Sequence, residues 1–169
     1  ILTNAAAFTF EWWMKVRSFT HSDYMVTFSQ APPTYISSSP GFNFYVGNGG
    51  ASFGLQGLWT DGVVFDLRTD IPFGTGVWKH VAVAYDGTVL KQFVDGALLN
   101  QGNYADKTPG NAHPFLIGKG YAYPGGAVAT TYFDGQIDEF TVYNRALGSN
   151  EIAAIYAAGS AGKVTLTLA

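Results

Sequence analysis

The sequence predicts an all-β protein with one short helix near its C-terminal end, and three observations carry that reading. Aromatic residues make up 16% of the chain and charged ones only 12%, while Gly and Pro number 21 and 7, a balance that suits short strands and tight turns. Segments in which apolar residues alternate with others recur from end to end. Between them stand Asn48-Gly49, Asp61-Gly62, Asp86-Gly87, Asp95-Gly96 and Asp134-Gly135, pairs that tolerate the positive φ of hairpin turns. At 169 residues the chain reads as one domain, 1–169, long enough to bury roughly 70% of its unfolded surface.

The first strand is FTFEWWMKV, residues 8–16. Neighbouring side chains on a strand point to opposite faces, so Phe8, Phe10, Trp12, Met14 and Val16 form an apolar core row. Thr9, Glu11, Lys15 and Arg17 form a polar row, interrupted by Trp13. Further strands follow in YMVTFSQ (24–30), GFNFYVG (41–47), SFGLQGL (52–58), GVVFDLR (62–68), HVAVAYD (80–86), VLKQFVDG (89–96), FLIGKG (115–120) and FDGQIDEFTVY (133–143). Nine strands with such turns mean a sandwich or a barrel. SNEIAAIYAAG (149–159) is the helix, with Ser149 as N-cap, Glu151 favoured by the dipole in the first turn and Gly159 as terminator. Its Ile152, Ile155 and Tyr156 are expected to face the sandwich. VTLTLA (164–169) alternates like a last strand, and residues 29–41 and 100–114 read as long loops.

Charge excludes some partners. Nine Lys and Arg against twelve Asp and Glu give a net charge of −3 without a basic cluster, which argues against nucleic acid. There is no Cys, hence neither disulfide framework nor thiolate metal site. No apolar run approaches the roughly 20 residues that span a bilayer, so membrane insertion is not expected. The chain starts at Ile1 rather than Met, as expected of a mature product or a segment of something longer.

WKHVAVAYDG (78–87) with FVDG (93–96), FLIGKG (115–120) and YFDGQIDEFTVYNRALGSNEIAAIY (132–156), in that order, resemble the LamG-like jelly-roll domains of the concanavalin A-like lectin and glucanase superfamily. FTFEWWMKV resembles that family's early strand, and the likeness runs from residue 8 to about 159. It implies a two-sheet antiparallel jelly-roll sandwich, and commonly a secreted or cell-surface accessory module. Trp13 falls where these domains usually carry a Trp, which implies scaffold under a loop or the helix. The family normally has a strand upstream of the position matched by Phe8, where only ILTNAAA stands here; either the chain starts inside the domain or VTLTLA is expected to fill that edge.

Catalysis is not expected. Enzymes of the superfamily resemble the pattern ExDxxE, which this chain lacks, and its three Glu stand at 11, 139 and 151. Asp138 and Glu139 are adjacent, so strand alternation sends them to opposite faces, away from any one glycosidic bond. There is no GxSxG elbow. His21, His80 and His113 sit in unrelated contexts, and His80 reads as a structural residue bonded to backbone.

Calcium is the one cofactor in view. Four of the nine Asp, at 61, 86, 95 and 134, sit in Asp-Gly pairs and are expected to cap turns, and the loop GKGYAYPGG lacks the carboxylates that the pentraxin resemblance would require. The laminin G resemblance implies calcium held by rim Asp side chains and carbonyls. Asp138 is the candidate metal ligand, since it shares its row with Phe140 and Val142, and a buried carboxylate needs a cation or several hydrogen-bond donors. Backbone N–H groups from the N-terminal segment would serve equally.

For ligand binding, Tyr121, Tyr123 and Lys119 stand out in GKGYAYPGGAVATTYF. Exposed rings stack on the apolar C–H faces of sugars while hydroxyls seek hydrogen bonds. Tyr35, Trp59 and Tyr104 are further loop aromatics. The expected function is carbohydrate binding by a secreted or surface module; the alternative is an adhesion module that contacts an extracellular protein through a flat apolar patch.

Overall fold

A computed structural model describes residues 5–19, 24–31, 40–70, 72–108, 113–122 and 129–159. Among them run β1 (Phe8–Val16), β2 (Tyr24–Gln30), β3 (Gly41–Gly47), β4 (Ser52–Leu58), β5 (Val64–Thr69), β6 (Trp78–Tyr85), β7 (Val89–Val94), β8 (Ala97–Asn103), β9 (Leu116–Ile117), β10 (Lys119–Ala122), β11 (Ala129–Tyr132), β12 (Gly135–Tyr143) and helix α1 (Ser149–Ala158). They build a sandwich rather than a barrel: one sheet in the order β12-β1-β6-β7-β8, a second in the order β5-β4-β3-β2-β9, and a separate β10-β11 hairpin. Every strand pair is antiparallel.

The core lies where the alternation puts it. Phe8, Phe10, Trp12, Met14 and Val16 are buried against Phe28, Phe42, Phe44, Phe53 and Leu55 of the facing sheet. Trp12 meets Phe28 and Phe44 edge-on, with ring centroids 5.0 and 4.8 Å apart, an arrangement worth about 0.5–1.5 kcal/mol per pair beyond the buried area. A second cluster, Ala82, Ala84, Phe93, Leu147 and Ile152, seats α1 on the outside of the first sheet.

Three of the four Asp-Gly signals mark real turns; at Asp134-Gly135 neither residue has a positive φ, Gly135 opens β12 and Asp134 pairs with Arg17. Asp95 and Gly96 both have positive φ, 51° and 77°, as a two-residue hairpin loop requires. The Asp86 carboxylate accepts the N–H groups of Thr88 and Val89, and Asp61 accepts that of Val63; these acids cap their own turns.

Three expectations change. Residues 97–103 form a strand instead of opening the 100–114 loop; ALLNQGN is an edge strand with no β-branched residue, so its composition hides it. Residues 119–122 and 129–132 are a hairpin, which the chain enters at Gly118, φ 78°. The helix N-cap is Gly148, one residue before Ser149, because the Glu151 carboxylate reaches back to the Gly148 N–H at 2.8 Å. Gly159 ends the helix as expected. VTLTLA lies outside the described residues.

Candidate functional site

Two surface regions gather the chemistry expected of a binding site. The first is the hairpin of β10 and β11. Its inner side rests on β2: a Cβ on Gly120 would come within 2.5 Å of the Val26 side chain and 2.8 Å of Ser29 Cβ, so only glycine lets the hairpin lie this close. The Asn43 amide donates to the Tyr121 carbonyl at 3.2 Å and fixes the hairpin to β3. Lys119 pairs directly with Tyr132 and Tyr121 with Thr130. Directly opposed residues share a face, so Lys119, Tyr121, Thr130 and Tyr132 form the outward one. Tyr132 is 63% exposed. Sequence reading missed it because it looked like the start of the next strand; its signal was the alternation of Thr130 and Tyr132.

The second region is a cleft of about 330 Å³ lined by Trp13, Trp78, Asp138, Glu139 and Gly159. A bulge creates it. Glu11 pairs with Thr141 but Trp13 pairs with Asp138, so β12 carries one residue more than β1 between these points. Glu139 takes the extra position with φ 51°, a conformation unusual for a residue with a Cβ. Two corrections follow. Asp138 does not share the inward row of Phe140 and Val142; the bulge moves it to the face of Trp13, where it is exposed. Asp138 and Glu139 line one cleft instead of pointing to opposite faces, since period-two alternation fails at a bulge. The Asp138 carboxylate accepts the Glu139 N–H at 2.8 Å, so the next residue in the chain is one of its donors.

Trp13 answers for its place among the charges here. One side of its ring is covered by Tyr156 of α1, nearly parallel at 28° with centroids 5.8 Å apart, and His80 lies at 5.3 Å. The helix is therefore its cover, as expected, and the remainder of the ring lines the cleft. Lys15 Nζ lies 5.3 Å from the centre of the Trp78 ring.

Beneath Trp13, His80 and Glu11 are fully buried and joined at 3.1 Å. His80 is structural, but its side chain meets a carboxylate; the backbone bond runs from its own N–H to Asp95. The Tyr143 hydroxyl donates to Glu11. Burial first, then the negative charge of Glu11, pushes the Tyr143 phenol up to about 12.

The other loop aromatics are elsewhere. Trp59 is fully buried, packed on Phe65, Tyr85 and Tyr104 with centroids 4.6, 5.1 and 5.8 Å away, so it belongs to the core and not to a binding surface. Tyr104 closes the same end, its ring half-buried against Trp59 and Phe65. Tyr35 and Tyr123 lie outside the described residues. For calcium, the cleft offers two carboxylates against the six to eight oxygens that the ion takes. Among the described residues no three His, Cys, Asp or Glu side chains gather into a metal-holding group, so these residues by themselves do not fit the ion. No helix among them is long and apolar enough to cross a membrane.

The fold is a two-sheet antiparallel β-sandwich of the jelly-roll kind. A family model described as the concanavalin A-like lectin/glucanases superfamily matches residues 1–153; the chain belongs to this superfamily. No curated protein sequence matches it. Among solved structures, the chain is similar to the CBM40 of the Ruminococcus gnavus IT-sialidase, with TM-score 0.67 and 22% identity over 89% of this chain and 82% of that one. The same module has been solved bound to α2,3-sialyllactose. A heptameric SAP-like pentraxin from Limulus polyphemus is similar at TM-score 0.59 and 18% identity, over 94% of this chain and 73% of that one. At these identities the likeness establishes the fold.

Proposed function

We propose that the chain is a non-catalytic carbohydrate-binding module of an extracellular protein, with the outer face of the β10-β11 hairpin as its sugar-contacting surface. The observation that carries this is Tyr132, 63% exposed and directly opposite Lys119 on a hairpin anchored through Gly120 and Asn43. A ring held on a rigid element stacks on a sugar face at little entropic cost, and a lysine and a threonine beside it hydrogen-bond the hydroxyls. Superfamily membership supports the reading, as does the carbohydrate-binding module among the similar structures.

Glycan arrays of plant, algal and host polysaccharides, followed by calorimetry on the hits, test it. Binding that Tyr132→Ala weakens is expected; arrays with nothing tighter than millimolar would overturn the sugar reading and turn attention to an extracellular protein partner. Because Asp138 and Glu139 share a cleft, the non-catalytic part needs its own assay: prolonged incubation with the bound glycan is expected to release no new reducing ends.

A further inference from the structure

We propose that the cleft between the β12 bulge and the end of α1 is a second binding site, for ligands bearing an alkylammonium group, independent of the sugar surface on the hairpin. Four features of its wall act in one direction. Two indoles, Trp13 and Trp78, line it, and the face of an indole attracts a cation. Two carboxylates, Asp138 and Glu139, stand on the same wall. Gly159, the C-cap of α1, closes it, which brings the negative end of the helix dipole to the cleft, and the last turn of α1 carries no basic residue to offset it. None of the lining residues among those described is a cation.

Lys15 gives an internal precedent. Its ammonium already sits 5.3 Å from the Trp78 ring centre without lining the cleft. A volume of about 330 Å³ admits a tetraalkylammonium head with room for the group it is attached to. A bare hydrated metal ion gains less from such a wall, because indoles cannot replace its water and two carboxylates leave most of its coordination unfilled. An anionic sugar would be repelled by the same carboxylates.

Tetramethylammonium chloride is the probe, titrated against sodium chloride at equal ionic strength and followed by the indole N–H resonances. The four Trp divide cleanly: Trp13 and Trp78 line the cleft and Trp12 and Trp59 are fully buried in the core. Saturable shifts confined to the Trp13 and Trp78 indoles are expected with tetramethylammonium and not with sodium. Trp78→Ala, a residue already 38% exposed, should weaken the affinity about five- to thirtyfold, the range of one desolvated ring on a cation. Asp138→Asn, nearly the same shape, should weaken it severalfold, and Tyr132→Ala should leave it unchanged. Shifts that grow linearly without saturation, equal shifts with sodium, or full affinity in both cleft variants would each overturn the proposal, whether or not the arrays find a sugar.

Discussion

The hairpin and the cleft both present aromatic rings to solvent, yet they stand in opposite electrostatic settings. On the hairpin, Tyr132 lies beside Lys119 on a surface made by regular pairing. In the cleft, Trp13 and Trp78 lie beside Asp138 and Glu139 where pairing is interrupted. Regular strands set side chains at fixed intervals on an open face, which suits a flat, neutral ring of hydroxyls. A bulge turns two successive carboxylates toward one hollow, which suits a compact cation. The same sandwich thus offers two surfaces whose ligands should not compete.

The largest expected effect tests what lies beneath the cleft. Glu11→Ala strips buried His80 and the Tyr143 hydroxyl of the carboxylate they share and should cost about 3 kcal/mol, the upper end of what leaving a buried polar group unsatisfied costs. Calorimetric unfolding would measure it. Loss of the tetramethylammonium response with retained sugar binding in the surviving folded protein would show that the two surfaces are separately supported.

Next in size is Gly120→Val. The added branches would collide with Val26 and Ser29, at a cost of roughly 1–3 kcal/mol for overpacking. Sugar binding should fall more than tenfold as the hairpin lifts, while the cleft indoles keep their shifts. Tyr132→Ala separates ring from scaffold: no change in melting temperature and a loss of about 0.5–1.5 kcal/mol in glycan affinity, read by calorimetry.

Acid should act on the cleft side first. Hydrogen bonds accepted from the Arg145 guanidinium, two of them, and then one from the Gly148 N–H hold the Glu151 carboxylate down at about 2, below its ordinary 4.5. A lowered folded value means stabilisation present above pH 4.5 and lost as pH falls toward 2. The start of α1, and with it the cover over Trp13, should therefore loosen across that window. Glu151→Gln should flatten the dependence in a Trp13 indole titration. The smallest effect is expected for Glu139→Gly, where relief of a left-handed backbone is nearly balanced by the freer unfolded chain. Net stabilisation should lie between about 0 and 1 kcal/mol, a rise of no more than a few degrees, with the cleft keeping its shape but losing one carboxylate.

Strands, turns and helix were legible in the residues, and the family resemblance narrowed a sandwich or a barrel to a sandwich. The alternation of Phe8, Phe10, Trp12, Met14 and Val16 set the core row, three of the Asp-Gly pairs, at 61, 86 and 95, set turns, and SNEIAAIY set a helix whose Ile152 is fully buried. Those are local signals, carried by period and by backbone preference within a few residues. The sequence also marked Lys119 and Tyr121 as surface candidates, and both stand on the outward face of the hairpin. Long-range packing settled which partners each residue meets. Trp59 looked like a loop aromatic until the end of the sandwich closed over it. Asp138 looked inward until one extra residue in β12, set against β1 more than a hundred positions away in the chain, turned it out to Trp13. A bulge is a mismatch between two strands, and a single strand's sequence holds only half of that comparison.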